Sequence, residues 1–405
     1  MPASGSVRAG RAVFTAATVL IGISLALSRP AWSHASPAQS SASGSKAFEA
    51  LSKKADQARD EGQLDEALKL YRRALLLNPK WVEGWWSLGT LYYDGDKYAD
   101  AEQAFGKVVS LDPKQGTARA MLGLCEFELG QPERALKDIE ASKTLGVLED
   151  KQLRDVVVYD EGVLLQRAGH FEAAKAALTS LCLNGMRSGE LAGTFGMVAL
   201  RIRDAAPPDA STEAGQVVQH AGRGACLNAA KEYDAAKTEF DQLIARAPHF
   251  PLVHYAYGCA LVDARDIPGA IKEFEAEIAE QPKSVLPRLH IAVAEYKVDS
   301  AAGLKFAEEA VQLAPELPLG HYLLGLLLLD TGAYERAVPE LEIARKAFPQ
   351  DGRIDLSLAT AYAHVGRTQD AARSRVEFAR KKQAQQAEAG GAVEITDTMD
   401  ARSKQ

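Results

Sequence analysis

Small residues recur along this chain at a fixed interval, each inside a segment whose apolar positions follow a helical period. Gly89 stands within Trp85-Trp86-Ser87-Leu88-Gly89-Thr90-Leu91-Tyr92; Gly123 lies thirty-four residues on and Ala55 thirty-four back. After an insertion of five residues the mark returns at Gly162 and Gly196. A shorter step then leads to Gly224, followed by Gly258, Ala292, Gly325 and Ala359. Twelve residues after most marks comes a second small residue, as at Ala67, Ala101, Ala236 and Ala270. Four further on a bulky one often follows, as at Tyr71, Phe105, Phe240 and Phe274. Two amphipathic helices of about thirteen residues, joined by a short turn, account for this spacing. Only Gly or Ala fits where such helices approach most closely, and a bulky side chain fills the space beside the contact. Pro79, Pro113, Pro248, Pro282, Pro315 and Pro349 close several of the units, since proline lacks the donor that would continue the helix. One hairpin buries too little to stand alone, so the hairpins stack and the array becomes the core.

The unit from Val82 to Pro113 carries Trp85, Leu88, Gly89, Tyr92, Ala101, Phe105 and Pro113 in one order and spacing, and it resembles the tetratricopeptide repeat family. The resemblance runs from Phe48 to about Gln383 and implies an all-α fold, a right-handed solenoid of stacked antiparallel helix pairs. About four repeats are expected over 48–188 and about five over 217–383, the last with a polar cap containing Arg373, Arg380, Lys381 and Lys382. Between the two arrays, 189–216 reads as a first-helix pattern without a second helix, followed by the proline-containing stretch Asp204-Ala205-Ala206-Pro207-Pro208-Asp209. The repeat from Val285 to Pro315 is one residue short and carries Gly303 where Ala is usual. Residues 384–405 read as a disordered tail.

In this family the first helices line a concave groove, and repeat positions 2, 5, 9, 12 and 13 supply ligand contacts. Carried over residue by residue, the resemblance places Trp86, Tyr159, Tyr255 and Tyr322 at position 5, Cys259 and Leu326 at position 9, and Tyr93, Phe127 and Tyr296 at position 12. Aromatic side chains with a polar tip suit a peptide groove because they give contact area at low entropic cost; the same rings could instead pad the packing between repeats. The family's carboxylate clamp is not expected here. Asn78, Asn184 and Asn228 are the chain's asparagines, and none falls at a clamp position.

Catalytic signals are missing from the sequence. Gly106-Lys107-Val108 lacks the upstream glycine and the hydroxyl of a phosphate loop, and neither a Gly-x-Ser-x-Gly elbow nor a His-Glu-x-x-His helix occurs. Glu275 and Glu277 read as part of a solvated face. His220, His254 and His321 share the fourth repeat position, where Trp is usual, and read as packing residues. First helices about 8–10 Å apart cannot bring them to one zinc ion, which needs nitrogens about 2.1 Å away. Cys125, Cys182, Cys226 and Cys259 are expected to be small buried thiols, with Cys125–Cys182 the one pairing left open. No catalytic residue, metal or cofactor is assigned.

Ahead of the repeats, Arg8 and Arg11 precede an apolar run from Ala12 to Leu27, and Ser33-His34-Ala35 follows. A positive start, apolar middle and small-x-Ala end read as a signal peptide over 1–35, cleaved after Ala35, then a flexible linker over 36–47. The alternative is an inner-membrane anchor over 12–28, which is short for a span of about twenty residues. Composition adds one exclusion. Acidic residues outnumber basic ones 54 to 47, which leaves no footprint for nucleic acid. The expectation is a non-enzymatic, exported scaffold (periplasmic or extracellular) that binds partner proteins or peptides. The alternatives are a promiscuous periplasmic chaperone for unfolded envelope proteins, or an accessory part of an enzyme complex. Oligomeric state is left open.

Overall fold

The structure is a computed structural model that describes residues 42–145 and 151–402, with side chains over 45–145 and 151–386. Among the described residues the chain forms nineteen α-helices and no strand. They fall into two units that divide after Pro208. Unit 1 holds α1 (Ala42–Asp60), α2 (Leu64–Leu77), α3 (Val82–Asp94), α4 (Tyr98–Leu111), α5 (Gly116–Glu128), α6 (Pro132–Thr144), α7 (Lys151–Ala168), α8 (Phe171–Leu183) and α9 (Gly189–Ala199). Unit 2 holds α10 (Glu213–Ala229), α11 (Tyr233–Arg246), α12 (Val253–Asp263), α13 (Ile267–Glu280), α14 (Leu286–Glu295), α15 (Ser300–Leu313), α16 (Pro318–Asp330), α17 (Tyr334–Ala347), α18 (Gly352–His364) and α19 (Thr368–Arg402).

Each hairpin packs as its small-residue mark requires. A methyl group added at Gly258 would stand 2.5 Å from the Phe274 ring, and one at Gly89 or Gly224 would stand 2.8 Å from Phe105 or Phe240. Phe105 and Phe274 are themselves fully buried, each contributing about 1.5–3 kcal/mol over an exposed side chain. The closing prolines all lie in the turns after second helices. Each second helix also packs on the first helix of the next hairpin, which makes the stack continuous within a unit. First helices touch one another along each unit (α5 with α7, α7 with α9, α10 with α12, α14 with α16, α16 with α18), while second helices have no comparable contacts. First helices therefore form the inner face of each unit.

A further tie recurs at the fourth repeat position. Arg119 donates to Asp138 at 2.7 Å, His220 to Glu239 at 2.8 Å, His254 to Glu273 at 2.7 Å and His321 to Glu340 at 2.5 Å. Each partner lies nineteen residues on, in the second helix of the same hairpin. The structure also shows why histidine can stand where Trp is usual. The Trp85 indole N–H donates to the Pro79 carbonyl at 2.9 Å, and His321 Nε2 reaches the Pro315 carbonyl at 2.8 Å, six residues back in both cases. Burial lowers the His321 pKa, but the Pro315 carbonyl and Glu340 outweigh it and the net shift is upward. His254 is also raised, chiefly by its hydrogen bond to Glu273.

Irregularities fall where the sequence is irregular. Ser188 caps α9, accepting from the Leu191 N–H at 3.1 Å; the chain then runs without helix to Thr212, which caps α10 by accepting from Gly215 at 3.0 Å. In the short repeat, α14 ends at Glu295, and Lys297 follows in a left-handed conformation (φ 68°).

Three expectations need correcting, those for Lys381, Glu277 and the cysteines. The first helix begins at Ala42, and α19 continues to Arg402. Lys381, read as part of a polar cap, is 8% exposed because Asp355, itself 1% exposed, accepts from its ammonium at 2.5 Å. Glu277, read as solvated, is 1% exposed and accepts from the backbone N–H groups of Leu252 (3.0 Å) and Tyr255 (3.2 Å), satisfying orphan donors at the start of α12. Cys125 and Cys259 keep their thiols, so Cys125–Cys182 is not formed, and Cys259 is half-buried where a buried thiol was expected. The proposed signal segment and the 12–28 anchor lie outside the described residues. No helix among the described residues is long and apolar enough to cross a membrane.

Candidate functional site

Seven of the nine side chains expected on the inner face are half-buried: Tyr93, Phe127 and Tyr159 in unit 1, and Cys259, Tyr296, Tyr322 and Leu326 in unit 2. The other two lie in the packing. Trp86 is 4% exposed and stands edge-on to Phe105 with ring centroids 5.4 Å apart. Tyr255 is 2% exposed, tilts against Phe274 at 5.9 Å, and shares a hydrogen bond with His290 Nε2 at 3.1 Å. A ring at position 5 that meets the bulky ring of its own hairpin's second helix becomes part of that contact, and neither side chain is open to a ligand.

In unit 1 the three rings come from successive first helices. Tyr93 ends α3 and packs edge-on to Tyr98 at 5.4 Å; Phe127 ends α5, with the Arg167 guanidinium of α7 over its face at 5.4 Å. The Tyr159 hydroxyl, also on α7, shares a hydrogen bond with Thr194 of α9 at 2.9 Å. Three carboxylates accompany them. Burial pushes the Asp94 carboxyl up to about 6. Burial and the neighbouring Asp96 carboxylate raise Glu128, against the pull of Arg167. Asp160 is pushed up to about 8, first by burial and then by the Glu128 charge, again opposed by Arg167. Burial is also the leading cause that raises the Tyr93 and Tyr159 phenols. Asp94 and Glu128 are themselves exposed and Asp160 is half-buried, and Arg167 is the cation that acts on Glu128 and Asp160.

Unit 2 treats its inner face differently. Asp330 accepts from Lys297 and Ser300, and these bonds hold its carboxyl below the ordinary range. Asn228 donates to Asp263 at 3.3 Å, and the Lys297 ammonium lies 5.1 Å from the centre of the Tyr296 ring. Between these polar groups Val293, Leu319 and Leu356 stand 54%, 45% and 46% exposed, which leaves an apolar surface beside Tyr322 and Leu326.

The carboxylates of unit 1 were missed by a sequence reading that carried only aromatic and apolar side chains onto the groove. Asp94 and Glu128 occupy position 13, which belongs to the contact set, so the signal was present. Asp160 had none, because its neighbours come from other helices. Among the described residues no three His, Cys, Asp or Glu side chains are grouped to hold a metal ion.

Stacked helical hairpins, with first helices lining an inner face that carries half-buried rings and open apolar groups, define a repeat protein built for contact with other macromolecules. The tetratricopeptide repeat signature matches residues 52–114, 87–144, 229–285 and 322–376, about half of the chain in all, and the chain belongs to that family. Repeats of this kind are protein-interaction scaffolds. Human Protein O-mannosyl-transferase TMTC3 is 23% identical over 270 residues, which span 63% of this chain and only 29% of that protein. Among solved structures, MamA is similar at 18% identity over 50% of this chain and 93% of its own (TM-score 0.32). A tetratricopeptide repeat protein from Parabacteroides merdae is 16% identical over 78% of this chain and 99% of its own (TM-score 0.32). Yeast Tom70 is 17% identical over 83% of this chain and 69% of its own (TM-score 0.33).

Proposed function

We propose that this protein is a non-enzymatic scaffold that holds partner proteins or peptides on the inner faces of its two units, and that it does so outside the cytoplasm. The observation that carries the binding role is the run of half-buried side chains on successive first helices: Tyr93, Phe127 and Tyr159 in unit 1, Tyr322 and Leu326 in unit 2. Such groups offer contact area already ordered by the stack, so little entropy is lost on binding. Export is supported by the basic start, the apolar run and Ser33-His34-Ala35 at the N-terminus.

Photo-crosslinking in cells of the organism tests both parts. A benzophenone side chain placed at Tyr93 or Tyr322 is expected to give one dominant adduct, and the same group at the exposed second-helix residues Lys69 or Lys346 none. Equal adducts from both faces would remove the inner-face assignment. The exposed apolar surface of unit 2 favours a second reading, a chaperone for unfolded segments, and many weak adducts at Tyr322 would support it. Mass measurement of the recovered protein is expected to place its first residue at Ser36; a chain that begins earlier would count against cleavage.

A further inference from the structure

Glu126 of α5 is 0% exposed, and neither of its carboxylate oxygens accepts a hydrogen bond from the described chain. The Arg134 guanidinium of α6 lies 2.7 Å from its Oε1, but that cation is divided: it lies 2.8 Å from Glu102 of α4 and also donates to Gln131. Asp138 of α6 stands within side-chain hydrogen-bond reach of Glu126, and its Oδ1 already accepts from Arg119 at 2.7 Å. The cluster therefore sets three carboxylates (Glu102, Glu126 and Asp138) against two guanidinium groups (Arg119 and Arg134), which leaves one negative charge in excess. The Glu102 and Asp138 side chains are only 20% and 15% exposed, so water does little to spread that charge. Two ionised carboxylates have no hydrogen between them, and their contact is attractive only when one carries a proton. Among the described residues these acids are not grouped to hold a metal ion, and a proton is what removes the excess.

We propose that one proton shared between Glu126 and Asp138 completes this cluster and makes the α5–α6 hairpin a pH-sensitive brace. With the proton in place Glu126 donates to Asp138, Asp138 holds Arg119, and Arg134 is left to tie α6 to Glu102 of the preceding hairpin. When the proton leaves, the Glu126 carboxylate repels Asp138 and competes with Glu102 for Arg134. The contact between α5 and α6 and the ion pair between α6 and α4 then loosen together. The groups that face Glu126 are Glu102 of α4, Asp138 and Arg134 of α6, and the neighbouring Cys125 thiol, which burial pushes up. On α7, Arg167 is directed to Phe127 and Glu128 instead. Burial acts most strongly on the Glu126 carboxyl and the Asp138 charge comes next; Arg134 opposes both, and the carboxyl is pushed up to about 7. Unfolding returns it to its ordinary range, so the hairpin loses stability as pH rises from about 4.5 to 7. Nothing in this depends on what the inner face binds.

Infrared spectroscopy of the full chain reads the proton directly. At about pH 6 the difference spectrum between the protein and Glu126→Gln is expected to show the carbonyl band of a protonated carboxyl, and by about pH 8.5 that band should be gone. Two neighbours should move its midpoint in opposite directions: Arg134→Gln upward, because a cation that favours ionisation is lost, and Glu102→Gln downward, because a repelling charge is lost and Arg134 is freed. A side chain that only fills space would not respond in this way. Hydrogen exchange over residues 116–144, corrected for its intrinsic dependence on pH, is expected to quicken about tenfold between about pH 6 and 8.5. Residues 42–77 should show no such change, and Glu126→Gln should remove it from 116–144. A difference spectrum without the band at about pH 6, or a midpoint that ignores both neighbours, would mean that Glu126 is ionised against Arg134, and overturns the proposal. Exchange that does not quicken, or that quickens equally in Glu126→Gln, overturns the brace. If Glu126→Gln does not fold, the midpoints of the unaltered protein and the two neighbour variants, read from their own pH-difference spectra, still decide.

Discussion

The two units build the same hairpins and treat charge on their inner faces in opposite ways. Unit 2 neutralises within itself: Asp330 is held by Lys297 and Ser300, and what remains open is apolar, as at Val293 and Leu356. Unit 1 leaves Asp94, Glu128 and Asp160 without ion pairs, the first two exposed and the third half-buried. A shared backbone scaffold therefore carries two different chemistries. The difference lies in a few inner positions of the first helices, where the packing that sets the fold makes no demand.

The comparison can be broken by the largest effects first. Phe105→Ala in unit 1 and Phe274→Ala in unit 2 each empty a fully buried site and should cost about 3–5 kcal/mol. Every described tryptophan (Trp81, Trp85, Trp86) lies in unit 1, so fluorescence follows that unit and circular dichroism follows both. Phe105→Ala should lower the fluorescence midpoint in urea, whereas Phe274→Ala should shift only the circular dichroism. A fluorescence shift from Phe274→Ala would make the two units one cooperative block. Next in size is Lys381→Ala, which strands the buried Asp355 carboxylate and should cost about 3–5 kcal/mol in unit 2, at the lower end if water reaches the site.

Titration sharpens the contrast. The raised pKa values of His254 and His321 mean that their contribution is complete below the unfolded value of about 6.5 and fades as pH rises through the folded values. Urea melts followed by circular dichroism should therefore weaken between pH 6 and pH 8.5, and His254→Asn with His321→Asn should flatten that trend. Unit 1 follows the same direction for another reason. A carboxyl raised from its ordinary range to about 8 penalises the fold progressively as pH rises from about 4 to 8. Asp160→Asn should flatten the fluorescence-monitored profile and leave the histidine-dependent one alone. Smallest of all, Lys297→Gln removes an exposed ion pair and is expected to leave the melting midpoint unmoved.

The architecture could be read from the sequence because it rests on spacing. Gly258 and Phe274 stand sixteen residues apart, as do Gly89 and Phe105, and each pair meets where a Cβ would collide with the ring. The lone helix α9 was legible for the same reason: Gly196 kept phase and no second helix followed it. Burial was harder to read, because repeat position assigns a face and not the bulk opposite. Trp86 and Tyr255 share position 5 with Tyr159 and Tyr322, yet only the first two are buried. The histidine bridges lay half-visible. His254 and His321 were singled out, while Glu273 and Glu340 at the constant offset of nineteen went unread. Lys381 was misread because a charged run near a chain end looks solvated until Asp355, twenty-six residues earlier, is seen beneath it.

Those bridges at a constant offset have an evolutionary consequence. Arg119–Asp138, His220–Glu239, His254–Glu273 and His321–Glu340 each begin and end within one hairpin. A recombination event that duplicates or deletes a whole hairpin carries both halves of its bridge together and orphans neither. Arrays locked this way can lengthen and shorten by complete modules, and the copies are then free to diverge at first-helix positions such as Asp94 and Asp330, which lie outside the bridges.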